Sequence, residues 1–240
     1  MTFKLSSLFG SSKEALPAAG GNYSRDTPSP RYLELSKVYA TMHDEGRPDV
    51  DHSAGETFDG RSLEPHIDVI AKLLKSSGST SVLDYGSGKG KLYQPRPDSS
   101  EERCKRLPAW EGAEITCYDP GYDPFSELPD AKFDAVISTD VVEHIPELDI
   151  PWILDEIFGR AEKQIYVVAA CYPAKKILPD GSNAHCTVKQ PAWWIEQMEG
   201  AAKRRGQVAW TLCTQSKSFF SFEHRSSLRK PGTKTLYFTG

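Results

Sequence analysis

Apolar residues recur along the chain in two patterns. The first is the short continuous run: "TSVLDYG", "AEITCYDPG", "KFDAVISTD" and "KQIYVVAACYP" each hold a few consecutive apolar residues closed by a turn-forming or polar one. Runs this short suit strands buried on both faces. The second pattern is helical. Between the last two runs, "DIPWILDEIFGRAEK" spaces Ile150, Ile153, Leu154, Ile157 and Phe158 at the 3.6-residue period, with Asp149 where an N-cap would sit. A helix between two buried strands predicts a crossover and therefore a parallel sheet.

The same spacing predicts other helices. "SLEPHIDVIAKLLKSSG" places Leu63, Ile67, Ile70 and Leu74 on one face, with Ser62 as N-cap and Gly78 as terminator. "RYLELSKVYATMHDEG" reads as a short helix before the polar loop "RPDVDHSAGETFDGR", and "QPAWWIEQMEGAAKRRG" as a later one. Near the end, "QVAWTLCTQ" and "TKTLYFTG" read as strands. The stretch between them holds too little helix for another crossover, so an antiparallel pair at the sheet edge is expected. Residues 1–30, rich in Ser, Gly, Pro and Ala and without period, are expected to be a mobile tail. Residues 31–240 are then one domain.

Composition narrows this little. A formal charge of -4 and pI near 5.9 describe an ordinary soluble protein and not a nucleic-acid binder. No apolar run is long enough to span a bilayer, and the first residues lack a secretory core, so a cytoplasmic location is expected. The 5 cysteines form no CxxC pair, and no metal site is expected from ligand spacing. One asymmetry stands out. From Gly200 onward Lys203, Arg204, Arg205, Lys217, Arg225, Arg229, Lys230 and Lys234 face only Glu223, a solvated surface or a rim that draws an anionic substrate.

The chemistry centres on "SVLDYGSGKGKLY", Ser81 to Tyr93. A Walker loop requires Gly-Lys followed by Ser or Thr, and here Gly90 and Leu92 follow. The dinucleotide fingerprint requires a third glycine where Lys91 stands. What remains is Asp84, Gly86, Gly88 and Gly90 at alternate positions, a turn whose missing side chains let a ligand approach the backbone.

This loop and the strands after it resemble the class I S-adenosylmethionine-dependent methyltransferases, over about residues 62–240 and on three motifs in order. "VLDYGSGKG" resembles the family's glycine turn at the methionine end of the cofactor. Asp119, closing "ITCYD", stands where the family places the acid that accepts hydrogen bonds from the two ribose hydroxyls. "FDAVISTDVVEHI" resembles the fourth-strand segment of the small-molecule branch, with its Glu-His pair. The resemblance implies a Rossmann-like doubly wound α/β sheet, S-adenosylmethionine as cofactor, and cofactor contacts from Asp84, Gly86, Ser87, Gly88, Gly90, Asp119, Pro120 and Asp140. In one respect the chain departs from the family. Only "PGYDPFSELPDAK" separates the ribose acid from the next strand, too little for the family's third strand and its flanking helices, so that strand is expected to be reduced or missing. Phe125, Leu128 and Asp130 are then candidates for the adenine pocket.

Ligands of open α/β sheets sit beyond the carboxyl ends of the strands. Two segments fall there, "STDVVEHI" and the long "CYPAKKILPDGSNAHCTVKQPAWW". They supply His185 as first candidate for a general base, with Asp140 and His144 beside it as catalytic or positioning groups. Tyr172, Asn183, Trp193 and Trp194 are substrate candidates, although the adjacent tryptophans cannot share one helical face. Lys89 and Lys91 are expected to reach solvent. The expected activity is methyl transfer to an oxygen or nitrogen of a small polar acceptor, a sugar or nucleotide-linked metabolite suiting the basic rim; no membrane partner is expected. Two other readings stay open: a non-catalytic cofactor-binding module, and an NAD-dependent oxidoreductase that tolerates Lys91.

Overall fold

The computed structural model of the chain describes residues 23–46, 53–93, 110, 112–206, 208–217 and 233–240. Six strands form one sheet: β1 (Ser81–Tyr85), β2 (Glu114–Tyr118), β3 (Phe133–Ser138), β4 (Ala161–Ala170), β5 (Ala209–Lys217) and β6 (Thr233–Thr239). Their order is β2-β1-β3-β4-β5-β6. The first five run parallel, and β6 pairs antiparallel with β5 at the edge, from Thr211 opposite Thr239 to Lys217 opposite Thr233. The expected sheet is thus present. β2 is the outer strand on its side, so among the described residues no strand pairs beyond it, and the strand expected to be reduced or missing is not there.

Alternation within the strands explains the two-sided core. Leu83, Val136, Ile165, Val167 and Leu212 pack on one face with α3 (Ile150–Arg160) and α4 (Pro191–Arg205). Val82, Ala135, Ile137, Tyr166 and Val168 pack on the other with α2 (Ile67–Ser77). Because successive side chains point to opposite faces, continuous apolar runs serve both layers at once. The sheet is therefore doubly wound.

Two expected caps are built differently. Gly78 ends α2 in the left-handed conformation, φ 59°, and donates to Leu74 and Lys75 carbonyls, as expected. Ser62, however, lies inside a 3-10 turn, Arg61–His66, that precedes α2. Asp149 precedes α3 but makes no capping bond. Its carboxylate instead accepts from the Ser29 amide at 2.9 Å, the Ser29 hydroxyl and the Trp152 indole at 2.8 Å. Ser29 in turn caps α1 (Pro30–Glu45), accepting from the Tyr32 amide.

These contacts hold residues 23–29 against the domain. Residues 1–22 lie outside the described residues; residues 23–29, counted in the expected tail, are held by side-chain contacts. Arg25 makes a two-point contact with Glu156 and donates to the Tyr118 hydroxyl, tying residues 23–29 to α3. Composition missed this because a Ser- and Pro-rich segment can be held by a few buried polar bonds without an apolar period. α1 then crosses the carboxyl ends of the strands. Leu35 and Met42 form a third apolar cluster with Leu178 and Ala184 of the long β4–α4 connection. No described helix is long and apolar enough to cross a membrane.

Candidate active site

The chain leaves β1 toward β2 on one side and returns with β3 on the other, so the loops after β1 and β3 diverge at a switch point. A cavity of about 1040 Å³ lies there. Its floor is Gly86, Ser87 and Gly88 from the first loop, Asp119, Pro120 and Gly121 after β2, and Thr139, Asp140 and Val141 after β3. His144, Tyr172 and His185 wall the far side, and Tyr39 and His43 of α1 roof it.

The glycine turn is shaped by close packing. A Cβ on Gly86 would sit 2.3 Å from a Val141 methyl, and one on Gly88 would sit 2.4 Å from the Phe58 carbonyl oxygen. Both glycines also hold positive φ, 84° and 58°. The turn is joined to the acid after β2. The Gly88 amide donates to Asp119 Oδ2 at 2.8 Å, and the Gly121 amide to Oδ1 at 2.9 Å. Burial raises the Asp119 pKa and the two amides oppose it, leaving it raised. A carboxylate has about four lone-pair sites, so each oxygen keeps one for a further donor.

Asp84 and Gly90 are not part of the cavity wall. Asp84 lies behind the turn, accepting from the Tyr93 hydroxyl at 2.7 Å, with its other oxygen buried and without a partner among the described residues. Burial first, against the Tyr93 bond and with Asp119 nearby, pushes it up to about 7. A Cβ on Gly90 would meet Cys117 Sγ at 2.9 Å, so that glycine serves packing against β2. Of the adenine candidates, Phe125, Leu128 and Asp130 are likewise absent from the wall. Phe125 packs on Tyr122, Leu128 joins the core, and the exposed Asp130 pairs with Arg160.

In their place stands the roof. The His43 ring is stacked between Phe58, 4.5 Å away, and Tyr122, 5.3 Å away. Burial, then Lys89 and Lys176, lower its pKa to about 4, so at neutral pH its approach to Asp119 at 3.6 Å is a contact of a neutral ring. Sequence reasoning missed His43 because nothing near it in the chain carries a motif. The expectation that Lys89 reaches solvent is also corrected, whereas the contact Lys91 makes is an exposed one. Lys89 is buried and donates to the carbonyls of His43, at 2.7 Å, and Ala54, while Lys91 donates to Gly55. These lysines clamp the roof to the glycine turn, where unpaired carbonyls at the end of α1 need donors.

Where the floor meets the far side, the structure brings Asp140, His144 and His185 together. His144 Nε2 lies 3.8 Å from Asp140 Oδ1, and the two imidazole rings are edge-to-face at 4.8 Å. Asp140 holds φ 62°, a conformation that Asp tolerates better than most residues and that recurs at functional sites. Burial acts to raise its pKa, but His144, His185 and Lys176 outweigh it and leave it lowered. Burial acts to lower that of His144, but Asp140, Glu143 and the Ala184 carbonyl leave it raised. His185 is lowered, chiefly by burial, which keeps it neutral. Glu143 does not line the cavity; buried and pushed up to about 7 by desolvation and Asp140, it accepts from the Ala170 amide.

The substrate candidates divide. Tyr172 lines the cavity. Asn183 does not; it staples the loop, accepting from the Ala174 and His185 amides and donating to the Ala174 carbonyl. Trp194 is buried in the core and Trp193 packs edge-to-face on it, so neither reaches the site. The basic rim is also redistributed. Arg204 and Arg205 pair with Asp155 on α3, whereas Lys217 borders the cavity beside Arg61, Lys175 and Lys176. Arg225, Arg229 and Lys230 lie outside the described residues.

No family model and no curated protein matches the chain. A solved structure described as "DhpI-SAH complex structure" is similar at a TM-score of 0.38 and 16% identity, covering 78% of this chain and 92% of that one. So distant a likeness contributes nothing to the functional reading.

Proposed function

We propose that the chain transfers a methyl group from S-adenosylmethionine to an oxygen or nitrogen of a small polar acceptor. One observation carries this. The Gly86-Ser87-Gly88 turn and the carboxylate of Asp119 are hydrogen-bonded to one another on a single wall of a cavity at the switch point of the sheet. The cofactor supplies an activated methyl group. The residues present fit it: a turn at Gly86, Ser87 and Gly88 with no Cβ at its two glycines, two carboxylate oxygens with lone pairs to spare at Asp119, and apolar surface at Pro120 and Phe58 beside that acid.

The opposite wall is the acceptor's. Lys175, Lys176, Lys217 and Arg61 favour an anionic acceptor, which a sugar phosphate or nucleotide-linked compound satisfies. With no ion bound, His185 is the proton acceptor. Its Nδ1 donates to the Tyr172 carbonyl at 2.6 Å, so Nε2 holds the lone pair. A cytoplasmic location belongs to this proposal and rests on the free thiols of Cys117, Cys171, Cys186 and Cys213.

Calorimetric titration with S-adenosylhomocysteine, beside NAD and with Asp119→Ala, tests the reading. Micromolar binding that the substitution abolishes is expected. Binding of NAD alone would replace methyl transfer by hydride transfer, and binding of neither would leave a fold without its ligand.

A further inference from the structure

Asp140, His144 and His185 each offer one ligand atom, and these atoms lie within 4.8 Å of one another. The two imidazoles are prepared alike. His144 Nδ1 is 2.8 Å from the Ala184 carbonyl, with the Tyr39 hydroxyl also 2.8 Å away, and His185 Nδ1 is 2.6 Å from the Tyr172 carbonyl. A carbonyl only accepts, so each Nδ1 carries its ring's proton when the ring is neutral, and each Nε2 is left with a lone pair. A backbone carbonyl behind the far nitrogen is how proteins orient histidines that bind metals. A simple ion pair of Asp140 with His144 would leave unexplained why a second imidazole, with the same tautomer, faces it edge-on. The Nε2 of His185 has no hydrogen-bond partner among the described residues.

We propose that Asp140, His144 and His185 form a three-ligand site for a divalent first-row transition cation, open to the cavity. Two imidazoles and one carboxylate suit such ions better than magnesium or calcium, which favour all-oxygen shells. Three protein ligands with a free position is the pattern of a catalytic and not a structural ion. Bonds of about 2.1 Å at tetrahedral angles put ligand atoms roughly 3.4 Å apart. The present spread of up to 4.8 Å closes mainly through Asp140, whose side chain is 55% exposed and free to turn. Sequence spacing alone did not show this site, because His185 arrives from a different loop, held in place by Asn183.

What the ion would do rests on the methyl-transfer reading. A hydroxyl of the acceptor binding at the open position becomes more acidic. Its O–H bond breaks, with the proton passing to water. The oxygen pair forms the new C–O bond, and the electrons of the carbon–sulfur bond leave with sulfur. His185 is then a ligand and not the base.

The test uses the full chain stripped with chelator and titrated with Co²⁺, read by its visible absorption, with Zn²⁺ calorimetry beside it. One equivalent is expected, weakened by about 100-fold in His144→Ala and His185→Ala and retained in Asp119→Ala, with circular dichroism checking the fold of each. Asp140→Asn, which keeps the shape and removes the charge, is expected to weaken binding by at least about tenfold. Uptake that these three substitutions leave unchanged, or none in the parent chain, overturns the site. S-adenosylhomocysteine binding on the same stripped protein separates the two proposals: cobalt bound without it supports the site and removes its role in methyl transfer.

Discussion

The two walls of the cavity are built on different principles. The wall proposed to hold the cofactor comes from the ends of β1 and β2, neighbours in the sheet, and its parts are joined directly by the Gly88–Asp119 hydrogen bond. The wall proposed for the acceptor gathers Asp140 and His144 from one loop, His185 from another and Tyr39 from a helix that precedes the sheet altogether. Local order needs little outside support; the gathered wall depends on loops that hold one another. Tyr39 shows this, its hydroxyl meeting His144 Nδ1 at 2.8 Å while the same nitrogen faces Ala184. The contrast implies that the walls should fail separately.

The largest effects set them apart. His185→Ala should lower turnover by about 100-fold or more while leaving S-adenosylhomocysteine affinity within about threefold. Asp119→Asn, which keeps one acceptor oxygen for the loop, should weaken that affinity by about tenfold or more, because an amide replaces a charged acceptor of two hydroxyls. Steady-state kinetics and calorimetry on both variants check this. A loss of cofactor affinity in His185→Ala as large as in Asp119→Asn would mean one shared wall.

Gly88→Ala comes next. With a Cβ 2.4 Å from the Phe58 oxygen and a φ of 58°, the chain must shift, at about 2–3 kcal/mol. Thermal unfolding should fall by about 5–10 °C, with cofactor affinity lost in parallel. An unchanged melting temperature would show that the 53–60 segment gives way at no cost.

Asp84→Asn probes the support beneath the cofactor wall. The folded-state pKa of Asp84, about 7 against an ordinary 3.8, means that the fold binds its proton more tightly than the unfolded chain does. Stability from this group is therefore full below about pH 4, falls as pH rises toward 7 and stays low above it. Asparagine never ionises and still accepts from Tyr93. The variant should match the parent near pH 4 and exceed it at pH 8 by about 1–2 kcal/mol, a few °C in melting temperature, with cofactor affinity little changed. A parallel pH profile would place the ionised carboxylate in water.

The smallest effect concerns the roof. Lys89→Met removes the donors to His43 and Ala54 but keeps the apolar stem, and should cost about 1 kcal/mol. Hydrogen exchange should quicken in α1 and not in β1; equal protection in both would mean that apolar packing of Leu35 and Met42 alone holds the roof.

The sheet was legible in the chain because its interior strands are apolar on both faces and its crossover helix repeats at 3.6 residues. Val82 and Leu83, or Val136 and Ile137, could be assigned to burial before any partner was known. The glycine turn and Asp119 were legible for a related reason: backbone freedom and an acid at a strand end are local properties. Asn183, Trp193 and Trp194 were misread because a polar or aromatic residue in a long loop looks alike whether it faces a ligand or staples the chain.

Only the tertiary structure decided that Lys89 is buried, that His43 roofs the cavity, and that His185 meets Asp140 and His144. Each depends on which carbonyl or ring lies opposite across segments distant in sequence, here Ala54 for Lys89, Phe58 for His43 and Tyr172 for His185. Periodicity reports whether a residue is turned inward along its own element. It carries no information about which other element it will find there, and the chemistry of this cavity is made of such meetings.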